Sequence, residues 1–255
     1  MAAPKTGRTR LDLLLVERGL FSTRTKAQAA IMAGKVRVPG HPRPKAGLEL
    51  PPDAALEVEA DACPYVSRGG LKMAAALDRF AVPARGRVVI DVGASTGGFT
   101  DCLLQRGTAR VYAVDVGQGQ LAWKLRRDPR VVVMEKTNAR ELTPAKFPPP
   151  FVPADLVVID CSFISLRKIV PAAVALLRPS GRIVALVKPQ FEAGKAEADK
   201  GAGVIRDPAI HERVLRELND FVAGLPALRW AGVTQSPVLG PAGNQEFLVL
   251  IEHIG

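Results

Sequence analysis

Two ionisable residues stand directly behind apolar runs: Asp160 follows Leu156-Val157-Val158-Ile159, and Lys188 follows the run from Ile183 through Val187. Short runs of this kind read as parallel strands covered on both faces. The carboxyl ends of such strands form the working edge of an open α/β sheet. A carboxylate and an ammonium held side by side there can orient a weak nucleophile and move its proton. The same two groups can also be a plain structural ion pair, because a half-buried ammonium has to be paired.

A second pattern concerns a cofactor. Arg87-Val88-Val89-Ile90-Asp91-Val92 is a strand-sized run, followed at once by Gly93-Ala94-Ser95-Thr96-Gly97-Gly98, after which Phe99 to Arg106 can begin a helix. GASTGG has neither the G-x-G-x-x-G spacing of a dinucleotide loop nor the Lys-Ser/Thr ending of a P-loop. Asp91 and Asp115 each lie at the end of an apolar run, so both are expected near one crevice, where Asp115 can accept the ribose hydroxyls of an adenosine. A capping role is the alternative for Asp115. Lys72 precedes an apolar helix from Met73 to Phe80, and Glu246 precedes the run Phe247 to Ile251; spacing alone does not bring these two together.

The elements that must position these residues follow from periodicity. Further apolar runs at 111–114 and 131–134, separated by helical segments, predict a doubly wound α/β sheet. Pro208 opens a further helix, and Trp123 and Trp230 are expected in packing positions. Phe163 suits either the core or the face of a target base. The glycine-rich stretch from Phe191 to Arg206 is expected as a mobile loop bordering the site. Ahead of this domain, Leu11, Leu14 and Leu15 repeat at helical spacing. Ser22 or Thr23 can cap a second helix ending before Gly34, with Ala27, Ala30 and Ile31 as its buried stripe. Val36 and Val38 alternate with Lys35 and Arg37, and residues 56–59 offer another short strand.

Charge is unevenly distributed over the 255 residues. The whole chain carries 35 Lys+Arg against 25 Asp+Glu, and the first 45 residues hold ten cations and two anions of that total. A basic end of this kind attracts polyanions through its summed field and counterion release. Three scattered cysteines, Cys63, Cys102 and Cys161, make no disulfide framework, and the three histidines form no ligand pattern, so no metal is expected. No apolar run is long enough to span a bilayer as a helix, and no secretory segment precedes the first helix. A cytoplasmic protein is expected.

RLDLLLVERGLFSTRTKAQAAIMAGKVRV resembles the S4 RNA-binding domain, which makes Arg10, Arg24, Lys26, Gln28, Lys35 and Arg37 candidate RNA contacts. VVIDVGASTGGFTDCLL is similar to motif I of the S-adenosylmethionine-dependent methyltransferases. That likeness assigns Asp91, Gly93, Ala94, Ser95, Gly97, Gly98, Phe99, Asp115 and Asn138 (in KTNAR) to the cofactor, with Gly93 and Gly97 allowing close approach of its methionine portion and Gly98 easing helix packing. SRGGLK, DLVVIDCSFISL, LVKPQFEAGK and PVLGPAGNQEFLVLI extend the resemblance over nearly the whole chain to the TlyA family. These proteins join an S4 domain to an FtsJ/RrmJ-like ribose 2'-O-methyltransferase domain and are sometimes described as haemolysins. The resemblance implies an S4 domain over 1–61, a linker over 62–66 and, over 67–255, a Rossmann-like domain with a mostly parallel seven-stranded sheet. It implies a catalytic tetrad of Lys72, Asp160, Lys188 and Glu246 acting on a cytidine 2'-hydroxyl in ribosomal RNA, the large-subunit RNA foremost and the small-subunit RNA in some members. The family's connector carries an Arg-Ala-Trp-Val pattern, from which this chain departs at Cys63-Pro64-Tyr65. Asp160-Cys161-Ser162-Phe163 differs from the Asn/Asp-Pro-Pro-aromatic motif of enzymes that methylate exocyclic amines, and no proline precedes Cys161 as in carbon-5 cytosine methyltransferases. Competing expectations are a non-catalytic RNA-binding assembly factor and a membrane-active haemolysin.

Overall fold

The computed structural model describes residues 7–18, 20–21, 23–58, 63–240 and 242–255. Two compact units divide between residues 62 and 63. The expected domain limit at 61, the start of the linker at 62, and Gly19, Ser22 and Glu59 lie outside the described residues.

Unit 1 runs β1 (Thr9–Arg10), α1 (Leu11–Glu17), α2 (Arg24–Met32), β2 (Val36–Arg37), β3 (Glu49–Leu50) and β4 (Glu57–Val58). Thr23 caps α2 by accepting a hydrogen bond from the Lys26 amide at 3.3 Å. Gly34, in the left-handed region at φ +73°, turns the chain out of the helix. Leu11, Leu14 and Leu15 of α1 pack on Ala27, Ala30 and Ile31 of α2, the stripes that periodicity predicts, with Val36, Val38 and Leu50 completing the core. Two antiparallel pairs, β1 with β3 and β2 with β4, close it.

Unit 2 contains α3 (Gly69–Arg79), β5 (Val88–Val92), α4 (Gly98–Gln105), β6 (Arg110–Val114), α5 (Trp123–Arg126), β7 (Val131–Met134), β8 (Ala154–Ile159), α6 (Val170–Val174), β9 (Leu177–Val187), α7 (Pro189–Glu192), α8 (Lys195–Lys200), α9 (Pro208–Ala223), β10 (Leu228–Gln235) and β11 (Phe247–His253). One seven-stranded sheet has the order β10-β11-β9-β8-β5-β6-β7, with β11 antiparallel to both neighbours. From β5 the chain moves outward through β6 and β7, then returns to start β8 on the other side of β5. The loops after β5 and β8 therefore diverge and leave a crevice at the topological switch point. Apolar residues of both sheet faces are buried, one face under α3 and α4 and the other under α6 and α9.

Three features differ from the sequence expectations. Helix α3 starts at Gly69, about one turn before Met73, so Lys72 lies inside it. The seventh strand, β10, is an edge strand of alternating half-exposed residues, which weakens its apolar signature. Trp123 is not a packing residue: it is 71% exposed, and the Arg127 guanidinium lies over its ring. Leu121 and Leu125 are the buried residues of this segment, and the side chain between them in register points the other way. Trp230 does pack against the core, as expected.

Candidate active site and RNA interface

Strand register assembles the four charged residues. Ile159 at the end of β8 is beside Ala185 of β9, and Phe247 at the start of β11 is opposite Val187 at the end of β9. Asp160, Lys188 and Glu246, each one residue beyond those positions, must share one sheet edge, and Lys72 reaches it from α3. Two ion pairs result. Lys188 Nζ lies 2.6 Å from Asp160 Oδ1, and Lys72 Nζ lies 2.5 Å from Glu246 Oε2. Lys188 also donates to Ser162 Oγ at 2.9 Å. Lys72, Lys188 and Glu246 are buried, and Asp160 is half-buried. Two of the three Lys188 N–H bonds thus have protein acceptors, which aims the ammonium and leaves one position for a ligand oxygen. All four residues line a cleft of about 280 Å³, together with Ser67, Gly69, Gly93 to Thr96, Gly98, Phe99 and Ser162.

Several contributors escaped the sequence reading. Ser162 stood out only as part of a motif, and its contact with Lys188 depends on β8 and β9 being neighbours. Buried Asn244 donates to the Gly203 carbonyl at 2.8 Å and accepts from the Ile205 amide at 2.9 Å, steadying the approach to Glu246. The expected mobile stretch is therefore pinned near its end, and it carries the end of α7 and the whole of α8. Phe163 does not pack beneath the sheet: it is 90% exposed, with its ring 5.0 Å from that of Phe191. Burial, reinforced by the Asp160 charge, pushes the Cys161 thiol up to about 12, which keeps it protonated and unreactive.

The glycine loop is shaped by its protein neighbours as much as by space for a ligand. A Cβ on Gly93 would lie 2.6 Å from the Asp160 carbonyl oxygen, so the close approach there is between the ends of β5 and β8. One on Gly97 would collide with Leu125; this residue does not line the cleft and instead makes room for α5. Gly98 allows α4 to meet α3, as expected, a Cβ there falling 2.9 Å from the Gly70 amide. Asp115 fastens the loop, accepting from the Ser95 and Gly117 amides at 2.7 Å each, and it caps no helix. Asp91 is wholly buried within β5, so it does not face the cleft and instead ties β5 to α4. It accepts from Thr100 Oγ1 at 2.6 Å, its other oxygen has no partner, and desolvation raises its carboxyl to about 7. Asn138 takes the turn role: its side chain accepts from the Arg140 amide and donates to Glu141. Residues 63–66 are fastened to unit 2, the Val66 amide donating to Asp101 at 2.8 Å and Gln105 to the Pro64 carbonyl at 3.1 Å.

In unit 1, three of the six candidate RNA contacts converge on one buried carboxylate. Arg10 forms two hydrogen bonds of 3.1 Å to buried Asp12, Arg24 one of 2.9 Å and Gln28 one of 2.7 Å. These bonds, led by that of Arg10, hold the Asp12 carboxyl far below the usual carboxylate range. The sequence signal for this cluster is an acid inside an apolar helix beside Arg10. Lys26 is exposed on α2, and Arg37 borders an open groove of about 1,070 Å³ whose lining includes His41, Arg43, Lys45 and the 88%-exposed Met32. The basic rim of this groove suits phosphates.

Comparison with known proteins decides the family. The FtsJ-like methyltransferase family matches residues 65–253, and the S4 domain matches residues 9–54. The chain is 50% identical over 246 residues to YqxC of Bacillus subtilis (strain 168), named as an rRNA methyltransferase, covering 96% of this chain and 86% of the relative. It is 47% identical over 245 residues to the 16S/23S rRNA (cytidine-2'-O)-methyltransferase TlyA of Mycobacterium tuberculosis (strain ATCC 25618 / H37Rv), covering 95% and 89%. The chain belongs to the TlyA family of FtsJ-like methyltransferases. A solved structure from Streptococcus thermophilus that carries a hemolysin name matches this TlyA-family chain at 42% identity and a TM-score of 0.74, over 97% of this chain and 89% of that one. Among the described residues no helix is long and apolar enough to cross a membrane, and no group of three potential ligands could hold a metal ion. The TlyA-family chain is a methyltransferase whose cofactor is S-adenosylmethionine, and its S4 domain makes RNA its partner. The residues present fit that cofactor: the glycine loop ends in a cleft holding both charge signs, and each Asp115 oxygen keeps an acceptor site beyond its backbone bond.

Proposed function

We propose that this protein methylates the 2'-hydroxyl of a cytidine in ribosomal RNA, the large-subunit RNA foremost, with unit 1 gripping the RNA and unit 2 performing the transfer. The observation that carries the reading is the two ion pairs, half-buried Lys188–Asp160 and buried Lys72–Glu246, facing one cleft beside the glycine loop. When bound, S-adenosylmethionine would supply an electrophilic methyl group on a sulfonium sulfur that serves as the leaving group. A ribose hydroxyl is a weak nucleophile, so the residues around it must align it and accept its proton. Lys188 takes that proton when it enters the step as the free amine, while Asp160 and Ser162 hold its nitrogen in place. The neighbouring carboxylate favours the ammonium, so Lys188 also contributes by fixing the hydroxyl for in-line attack. Lys72, aimed by Glu246, stabilises the charge that develops on the oxygen.

For the cofactor we assign Gly93, Ala94, Ser95, Gly98 and Phe99 to the methionine portion and Asp115 to the ribose. The cleft would take the reacting parts of donor and ribose, and Asp115 would hold the ribose of the cofactor. Arg10, Arg24, Lys26, Gln28, Lys35 and Arg37 are the RNA contacts of this reading. Methylation of ribosomal RNA puts the protein in the cytoplasm, where ribosomal subunits are assembled.

The test is a labelled-methyl assay on ribosomal subunits and on naked transcripts, followed by mapping of the modified nucleotide. Lys188→Ala is expected to lower turnover by about 10³-fold, within the range for loss of an acid–base group, while cofactor and RNA affinity stay within a few-fold. Unchanged turnover would remove Lys188 from the mechanism. No label incorporated by the intact chain on either substrate would leave the RNA-binding assembly-factor reading in its place.

A further inference from the structure

The loop after β8 carries Asp160 and Ser162, and the turn after β9 follows directly on Lys188. Both must hold their relative position for the Lys188 nitrogen to stay aimed. Their cross-brace is Glu192, the last residue of α7, four positions beyond Lys188. Its buried carboxylate reaches back to the β8 loop, accepting from Ser165 Oγ at 2.6 Å and from the Leu166 amide at 2.8 Å. Between the two anchor points the loop is strained. Phe163 has φ +63°, in the left-handed region that an aromatic residue seldom occupies, and its ring is 90% exposed. Such a conformation persists only where the surroundings over-determine it. Here the Lys188–Ser162 hydrogen bond holds one side of Phe163 and the Glu192 grip holds the other, while Phe191, from the same turn as Glu192, contacts the ring.

We propose that Glu192 is a positioning residue for methyl transfer: it locks the Asp160–Leu166 loop against the Lys188 turn and so keeps Ser162 and Asp160 in register with the Lys188 nitrogen. Glu192 does not line the reaction cleft. Its influence passes through the loop, because its bonds end on Ser165 and Leu166, three and four residues beyond Ser162. A displacement of about 1 Å at a reacting group can lower a rate by about 10²-fold, and removal of both Glu192 bonds frees the loop to relax Phe163 by a movement of that order. Glutamine can keep both contacts, accepting from the Leu166 amide and donating to Ser165 Oγ, so it should restore most of the function that alanine removes.

The inference rests on the reading of Lys188 as catalytic, and the experiment separates the two. Steady-state methyl transfer with labelled S-adenosylmethionine and 23S rRNA transcript is measured for the full-length chain, Glu192→Ala, Glu192→Gln, Ser162→Ala and the Ser162→Ala/Glu192→Ala double variant. Cofactor affinity is measured by calorimetry and the unfolding midpoint by Trp fluorescence. Expected results are a roughly 50-fold fall in kcat for Glu192→Ala, with KM for the cofactor and its Kd within twofold, and a fall of less than about fivefold for Glu192→Gln. In the Ser162→Ala background, Glu192→Ala should cost much less than in the native chain, because both act on the same aim of Lys188. Native kcat in Glu192→Ala, or full additivity with Ser162→Ala, overturns the proposal; if Lys188→Ala is inactive at the same time, the proposed function stands and this inference alone fails. Should Glu192→Ala not fold, Ser165→Ala, which removes one of the two bonds, must show the same kcat loss in reduced form, and native kcat there overturns the proposal equally.

Discussion

Replacing Asp12 by alanine removes the acceptor for four hydrogen bonds, from Arg10, Arg24 and Gln28, at the centre of unit 1. Hydrogen bonds to a charged group contribute about 1.5–3 kcal/mol each where they are buried. The Arg10 and Arg24 side chains are 42% and 51% exposed, so water screens them in the folded state and takes up their donors in the variant. With that discount the expected loss is about 2–3 kcal/mol. A unit of this size has only about 3–9 kcal/mol of stability at roughly 0.05–0.15 kcal/mol per residue. The loss is therefore a large fraction of the total. Both tryptophans, Trp123 and Trp230, and both tyrosines, Tyr65 and Tyr112, lie in unit 2, so intrinsic fluorescence follows that unit, and amide hydrogen exchange at Leu14, Leu15, Ala30 and Ile31 follows unit 1. Asp12→Ala should lower the unit 1 exchange protection about 30- to 150-fold, the equivalent of 2–3 kcal/mol, and leave the fluorescence midpoint in urea unchanged. RNA affinity should fall with it. Unchanged protection would refute the structural role, and a gain in RNA affinity would show that Arg10 and Arg24 had been withheld from RNA by Asp12. The depressed carboxyl also fixes the pH behaviour: its stabilisation is complete above the usual carboxylate range and is lost only as pH falls through the lowered native value.

Asp91 has the opposite sign. Its native carboxyl is raised to about 7 from 3.8, so the folded chain retains a proton that the unfolded chain has released, and stability falls as pH rises between those values and levels off above. Up to about 4 kcal/mol is at stake; Asp91→Asn should remove this slope, measured as the difference in urea midpoint between pH 5 and pH 8. Gly98→Ala places a Cβ 2.9 Å from the Gly70 amide and against Ser67, so it should destabilise by about 1–3 kcal/mol and weaken cofactor binding, read by thermal unfolding and calorimetry. Removal of the first 62 residues should reduce RNA affinity and flatten its dependence on salt, read by titration at several ionic strengths, with cofactor affinity within twofold. Equal salt slopes would take unit 1 out of RNA binding.

Much of this protein is legible in the sequence because the relevant signals are local. Asp160 and Lys188 end apolar runs, and the position of a residue at a strand's carboxyl end follows from that run alone. Strand, glycine loop and helix arrive in order around GASTGG, and the stripes of α1 and α2 follow from helical spacing. What depends on contacts distant in the chain required the fold. Lys72 and Glu246 are 174 positions apart, and they meet because β11 runs antiparallel beside β9, a pairing that hydrophobic pattern does not specify. The same reason applies to Asp12, whose partners come from a second helix, and to the division of the tetrad into two ion pairs. Exposure was decided at this level as well: Trp123 points outward because Leu121 and Leu125 fill the space beside Gly97, and Phe163 is outside because its loop is held in a left-handed turn. Composition sets which residues can be buried, but competition among neighbours for the same volume determines which ones are.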